Sequence, residues 1–285
     1  MLQVVRAGAL TTVQDGGRTG YAHLGVPRAG ALDSPARLLA NRLAGNQADA
    51  AVLETTLTGC AVRPTRAVTA VVGGAPCRVT VDGRPAPWGA PVLVPAGAVL
   101  EAHGAQYGVR SYLAFRGGLC PEPVLGSRSA DLLSGLGPAP LRDGDSLPLG
   151  TTRNHTLAPG ADCAPWPGIP ATLVLPVLPG PRDDWFTPAA LRTLTTAVYR
   201  VSPHSNRIGL RTEGPALERA RQGELPSEGV VLGSIQVPPD GRPVIFLNDH
   251  PTTGGYPVIG VVPEQTLSTA AQAAPGTELR FTLIR

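Results

Sequence analysis

Two short stretches of this 285-residue chain set an arginine among amide, acidic and glycine residues. In the first, Gln14, Asp15 and Arg18 surround Gly16-Gly17. In the second, His204, Ser205, Asn206 and Arg207 lead into Gly209. A guanidinium beside glycine backbone suits bidentate recognition of a carboxylate or phosphate, because its planar fork matches two oxygens and glycine lets the ligand approach. The same residues would also serve as an Arg–Asp brace across a tight loop. A third stretch runs Asp249-His250-Pro251-Thr252-Thr253-Gly254-Gly255-Tyr256. Its hydroxyls and glycines have the composition of an anion-binding nest of backbone N–H groups, and equally of a β-turn with Asx chemistry. Two glutamates, Glu54 and Glu228, each precede a glycine-containing strand. Asp15, Glu228, Asp249 and His250 are candidate general bases, and their spacing does not choose among them. No G-x-S-x-G elbow or Ser-His-Asp pattern is present.

The basic residues narrow the chemistry further. All 24 are arginines, and lysine is absent. A covalent biotin carrier, a Walker-type P-loop and a Schiff-base enzyme each need a lysine, so none is expected on this chain. Any anion it holds must be gripped by arginine or by backbone N–H. The net charge is only +3, and the densest basic clusters are pairs such as Arg63/Arg66 and Arg219/Arg221. That is too thin for a nucleic-acid footprint, and no nucleic-acid partner is expected. Cys60, Cys77, Cys120 and Cys163 form no C-x-x-C, and His23, His103, His155, His204 and His250 offer no ligand spacing. The cysteines read as small buried thiols in a reducing compartment, with no metal site. Met1–Leu10 lacks the apolar core of a signal peptide, and no apolar run reaches the length of a membrane span. A cytoplasmic protein without a membrane partner is expected.

The elements that must position these residues are mostly strands. Glycine and proline number 35 and 31, which favours turns and short strands over long helices. Ser34-Pro35 before Ala36, Leu39, Ala40 and Leu43 reads as N-cap and N1 of a helix that stops at Gly45. Thr187-Pro188 repeats the pattern. Arg78–Val81 alternates into a turn at Asp82-Gly83, and 229–237 and 243–247 read as strands. Residues 150–170 are rich in proline and small residues and read as a linker, which divides the chain into 1–165 and 166–285. The halves share ordered anchors. Leu2–Gly8 aligns with Leu175–Pro181, and Val13–Gly20 with Val201–Gly209. Glu54–Gly59 aligns with Glu228–Gly233, Asp82–Pro85 with Asp240–Pro243, and Gly144–Leu147 with Gly276–Leu279. The pattern predicts a mainly β protein of two related β-barrels with a few short helices.

Longer motifs carry a resemblance. Leu10–Gly20 (LTTVQDGGRTG), Gly25-Val26-Pro27, Ala40–Asn46 (ANRLAGN) and Leu53–Leu57 (LETTL) resemble the opening of the KipA proteins. The family is also known as allophanate hydrolase subunit 2, the biotin-dependent carboxyltransferase family, or the 5-oxoprolinase C-subunit family. Val201–Leu210 (VSPHSNRIGL), Ser227–Val231, Gly233–Gly241 (GSIQVPPDG) and Thr253–Pro257 (TGGYP) continue the likeness across essentially the whole chain. Arg28–Asp33 departs from the family's usual Ser-Gly-Ala-Met-Asp run, and Pro251 stands where a glutamine is usual. That change puts one polar substrate contact in doubt.

The resemblance implies two tandem cyclophilin-like β-barrels, a KipI-like protein as partner, and a LamB/YcsF-type protein as the third member of the assembly. The implied activity is ATP-dependent opening of 5-oxo-L-proline to L-glutamate, with ATP and Mg used by the complex. Asp15, Arg18, Glu228 and Asp249 are the expected catalytic set. Gln14, Asn206, Arg207, Gln236, Thr252, Thr253, Gly254, Gly255 and Tyr256 are expected to bind substrate or phosphate. Two alternatives stand beside this: the carboxyltransferase part of a biotin-dependent urea or amide carboxylase, and a regulatory protein that sequesters a KipI-like kinase inhibitor.

Overall fold

The computed structural model describes residues 1–151, 164–223 and 225–284. Most of the stretch read as a linker, including His155 and Cys163, lies outside the described residues. The chain forms two compact units. The first holds Met1–Arg18, Ala29–Asp131 and Gly135–Ile169, and the second holds Thr19–Arg28, Leu132–Ser134 and Pro170–Arg285. Two segments of the N-terminal half therefore belong to the second unit. There Arg28 pairs with Glu264 at 2.7 Å, and the Leu132 N–H donates to Asp249 Oδ2 at 3.1 Å.

The first unit is built from β1 (Leu2–Arg6), β2 (Leu10–Gln14), helix α1 (Ser34–Ala44), β3 (Val52–Thr56), β4 (Cys60–Pro64) and β5 (Val68–Gly74). It continues with β6 (Cys77–Val81), β7 (Arg84–Ala86), β8 (Pro91–Val94), β9 (Leu100–Ala105), β10 (Arg110–Phe115) and β11 (Ser146–Leu147). They form a six-stranded sheet, β11-β1-β4-β9-β6-β7, and a five-stranded sheet, β2-β3-β10-β5-β8. Leu2, Val4, Val62 and Leu100 of the first share one core with Leu53, Val72, Leu113 and Phe115 of the second. The alanine face of α1 (Ala36, Ala40, Ala44) covers Val52, Val71, Tyr112 and Ala114 of the five-stranded sheet. Both faces of β10 are therefore buried, and Arg-Ser-Tyr-Leu-Ala-Phe does not alternate as a half-buried strand would.

Local chemistry explains the ends of these elements. The helix cap expected at Ser34 is one residue earlier: Asp33 Oδ1 accepts the Ala36 N–H at 3.1 Å, and Ser34-Pro35 form the first turn. Gly45, at φ 72°, closes the helix as expected. Asp82 and Gly83 both have positive φ (49° and 74°), the backbone that a two-residue hairpin between β6 and β7 requires. Trp166 reaches back onto this unit, its Nε1 donating to Gly89 O at 3.0 Å and its ring against Trp88. A Cβ at Gly73 would lie 1.9 Å from the Trp166 ring, so only glycine fits there.

The second unit contains β12 (Thr172–Pro179), α2 (Pro188–Thr196), β13 (Tyr199–Val201), β14 (Gly209–Glu213), β15 (Glu228–Gly229) and β16 (Ser234–Gln236). It ends with β17 (Val244–Phe246), β18 (Thr253–Gly254), β19 (Val258–Val261), α3 (Glu264–Ala271) and β20 (Glu278–Leu283). Seven strands close into a barrel, β12-β19-β16-β17-β14-β13-β20, around Leu175, Val177, Tyr199, Ile235, Ile245 and Phe281. Thr187 caps α2 through the Ala190 N–H at 3.1 Å, with Pro188 in the first turn. The single strand expected over 229–237 is broken at Gly233, whose φ is 82°, and its first part pairs with β18 in a two-stranded ribbon.

The mainly β fold with a few short helices is the one the sequence predicted. The aligned halves nevertheless pair differently. β1 lies antiparallel to β11, whereas its counterpart β12 lies parallel to β20. Among the described residues no helix is long and apolar enough to cross a membrane.

Candidate functional site

In the first unit, Gln14 ends β2 and Asp15–Arg18 turn away from it. Asp15 Oδ1 accepts Ser127 Oγ and Ser129 Oγ at 2.6 Å and the Gly17 N–H at 2.8 Å, while Oδ2 accepts the Arg128 N–H at 2.6 Å. Four donors commit this carboxylate to cross-linking residues 127–129 and leave little acceptor capacity for a substrate proton. Asp15, expected as a catalytic group, is thus placed as a brace. Arg18 is buried. Its Nη2 donates to Ser129 O and its Nε to Val124 O, while Nη1 meets no partner among the described residues. Gln14 is likewise buried, giving Nε2 to Thr12 Oγ1 and Ala130 O and leaving Oε1 without a partner among the described residues. Arg37 of α1 approaches the same turn, and burial lowers its pKa against the opposing pull of Asp15.

Glu54, aligned in sequence with Glu228, is fully buried in β3. Its Oε2 accepts Tyr112 Oη at 2.8 Å and the Leu32 N–H at 2.9 Å, and Tyr112 in turn accepts the Asp33 N–H. Burial, reinforced by the Glu54 charge, drives the Tyr112 phenol well above its ordinary range. This network fixes the entry to α1.

In the second unit, Arg207 and Asp249 form a buried bidentate pair, Nε–Oδ2 and Nη2–Oδ1 both 2.9 Å. With the Leu132 N–H also on Oδ2, the acid and the cation use each other, tying residues 204–208 to 247–251. Asn206 makes a local Asx turn, Oδ1 accepting the N–H groups of Ile208 and Gly209. His250 stacks on Phe246 with centroids 5.6 Å apart.

The remaining expected residues converge on the ribbon. Glu228 pairs in register with Gly254, and Gly229 with Thr253. The Val230 N–H donates to Thr252 O at 3.0 Å. Gln236, buried on β16, donates Nε2 to Tyr256 O at 3.1 Å, and a Cβ at Gly254 would lie 2.4 Å from that same nitrogen. A side chain at Gly254 would therefore push the end of Gln236 aside and disturb its bond to Tyr256 O. Neither Gly254 nor Gly255 has positive φ, and Thr253–Gly254 is a two-residue strand, so the alternating-handed nest, one of the two readings of this composition, is not formed by these glycines. Thr253, Gly255 and Tyr256 remain exposed.

One residue of this cluster was missed by sequence reasoning. Arg182 donates Nε to Glu228 Oε2 at 3.0 Å and Nη2 to Oε1, and this pairing holds the Glu228 carboxyl below its ordinary range. Forty-six residues separate the two, and no local pattern links them. The ribbon thus carries the Arg182–Glu228 guanidinium–carboxylate pair, and its second strand leads from exposed Thr253 to exposed Tyr256. Such a set can hold a small carboxylate and an amide.

Residues 24–283 match the family model described as carboxyltransferase domain, subdomain A and B. The chain belongs to this family. The 5-oxoprolinase C subunit of Escherichia coli K12 is 38% identical over 285 residues, covering 99% of this chain and 90% of that protein. The urea amidolyase of Saccharomyces cerevisiae is 34% identical over 306 residues, covering 98% of this chain but 16% of that protein. Among solved structures, the protein TTHA0988 superposes with a TM-score of 0.88 at 38% identity over 99% of this chain, which spans 56% of that chain. The Kluyveromyces lactis urea amidolyase gives 0.89 at 30% identity over 100% of this chain, which spans 19% of that chain. The resemblance to the 5-oxoprolinase C-subunit family read from the motifs is thus borne out.

Proposed function

We propose that this chain is the C subunit of an ATP-dependent 5-oxoprolinase. It would act with a KipI-like protein and a LamB/YcsF-type protein to convert 5-oxo-L-proline to L-glutamate. The observation that carries the reading is the 38% identity to the E. coli protein over nearly the full length of both. The ribbon supplies a chemical rationale. 5-Oxoproline carries one carboxylate and one unstrained lactam. Nη1 of Arg182, which takes no part in the pair with Glu228, offers donors to the carboxylate. Glu228, paired with Arg182 and so ionised at neutral pH, offers an acceptor to the lactam N–H. Tyr256 offers a donor from the exposed edge. A carboxyl whose pKa is held down is a poor proton acceptor, so Glu228 acts by orienting the substrate.

Amide resonance makes direct attack of water on such a lactam slow, and ATP removes that barrier if the amide oxygen is phosphorylated first. The residues present do not fit the nucleotide. Arg207 is engaged by Asp249, neither glycine of 252–256 has the positive φ of an anion nest, and lysine is absent. We therefore derive no step through the nucleotide on this chain and place it on a partner protein.

The test is reconstitution. The three proteins together should form L-glutamate from 5-oxoproline with ATP consumption, and omission of this chain should abolish it. A complete complex that consumes no ATP in the presence of 5-oxoproline would refute the reading. The likeness to urea amidolyase favours a second reading, carboxyl transfer from a biotin borne by another chain. Exchange of labelled carboxylate with free biotin by the complex would support it instead.

A further inference from the structure

The outer face of the barrel continues beyond the ribbon. Register places Gln236 opposite Val244, and Val244 opposite Arg211. The adjoining row, Ile235, Ile245 and Leu210, is buried. Directly opposed residues share a face, so Gln236, Val244 and Arg211 line one outward row across three strands. At its far end opens a cleft of about 550 Å³, lined among others by Ser202, Asn206, Arg211, Glu213, Asp240 and Arg242.

The polar groups of this cleft are unevenly committed. Arg211 and Arg242 make hydrogen bonds through their backbones only, and neither guanidinium has a carboxylate within ion-pair distance among the described residues. Glu213 accepts Ser202 Oγ on Oε1 at 2.9 Å, which leaves Oε2 open. Arg200, opposite Glu213 in register, is taken by Glu278 at 3.1 Å and does not neutralise it. Asp240 accepts the Arg242 N–H on Oδ1, which leaves Oδ2 open. Asn206 uses its oxygen in its own turn, which leaves the amide N–H groups.

Two open guanidinium groups beside two half-open carboxylates are a poor match for a polyphosphate, which the acids repel. A simple dicarboxylate would leave those acids without a cation. The complement is a ligand with two anionic ends and one cationic group. We propose that this cleft binds a free acidic α-amino acid, its carboxylates on Arg211 and Arg242 and its ammonium on Glu213 and Asp240. The proposal rests on the functional reading above to the extent that lactam opening yields an acidic amino acid. The cleft would be where that product is held.

The test is calorimetric titration of the full chain with L-glutamate, glutarate, L-glutamine and inorganic phosphate. L-Glutamate should bind at one saturable site. Glutarate, which lacks the ammonium, and glutamine, which lacks the second carboxylate, should each bind about tenfold more weakly, as loss of one charged contact implies. Arg211→Gln and Glu213→Gln should each weaken L-glutamate binding by about tenfold or more without altering the thermal unfolding midpoint. Absence of saturable binding at about 10 mM, glutarate or phosphate binding as tightly as glutamate, or unchanged binding by both variants would overturn it. An inactive three-protein complex with intact glutamate binding would defeat the enzymatic reading alone. An active complex whose chain does not bind glutamate would defeat this proposal alone.

Discussion

Arg18 and Arg207 occupy matching places in the two halves of the sequence, and both are buried, yet they are held in opposite ways. Arg207 has a carboxylate on two of its nitrogens, with Nε and Nη2 each 2.9 Å from Asp249. Among the described residues Arg18 has only carbonyl oxygens, from Ser129 and Val124, and keeps one nitrogen without a partner. The acid beside it in sequence, Asp15, is turned to the hydroxyls of Ser127 and Ser129. A guanidinium in a glycine-rich turn therefore does not by itself make an anion site. What decides is whether the fold delivers a carboxylate from elsewhere in the chain. In both turns the fold uses the arginine as a brace, and we propose that the substrate chemistry falls to less conspicuous residues on the outer face of the barrel.

Mutations can break or sharpen that contrast. Asp249→Ala should have the largest effect, because it strands a buried guanidinium, and about 3–5 kcal/mol should be lost in chemical denaturation. Arg207→Met combined with Asp249→Leu should recover much of that loss, since removing both charges avoids the unpaired one. Equal losses for the double and single variants would show that the pair is not the brace described. Arg18→Met should cost less, about 1–3 kcal/mol, because it strands carbonyl oxygens and no charge. A loss as large as that of Asp249→Ala would mean that Arg18 has an ionic partner after all.

Alkaline unfolding offers a finer comparison. Tyr199 is pushed up to about 12 by burial, and its hydroxyl has no partner among the described residues. A raised folded pKa gives stability that is complete below the unfolded value, about 10, and is lost as pH rises towards 12. Tyr199→Phe should flatten that decline without lowering stability at pH 7. The smallest effect concerns thiols. Cys120 is exposed, whereas burial raises Cys60 to about 12 and also raises Cys77. Folded protein should be alkylated at Cys120, while Cys60 and Cys77 should react only on unfolding.

These results mark what a sequence can carry. Helix caps, the Asp82-Gly83 hairpin and the mainly β class rest on contacts within a few residues, so they were legible, with one cap displaced from Ser34 to Asp33. The alignment of Glu54 with Glu228 was legible as a pattern but misleading as chemistry. One glutamate lies under a helix-covered sheet bonded to Tyr112, and the other lies on an exposed ribbon bonded to Arg182. The glycines of 252–256 had the composition of an anion-binding nest or a β-turn, whereas Gly254 lies in a short strand against the end of Gln236. Arg182, Arg211 and Arg242 were passed over because barrel closure, not spacing, brings them beside their neighbours.

The most direct test of the substrate face is the steady-state rate of ATP-dependent L-glutamate formation by the three-protein complex carrying Glu228→Gln. Glutamine keeps the size of the side chain but removes the charge that holds Arg182 and that we propose accepts the lactam N–H. We expect kcat/KM for 5-oxoproline to fall by at least about tenfold, with the assembly and its unfolding midpoint unchanged. An unaltered kcat/KM in an intact complex would contradict the placement of the substrate on this ribbon.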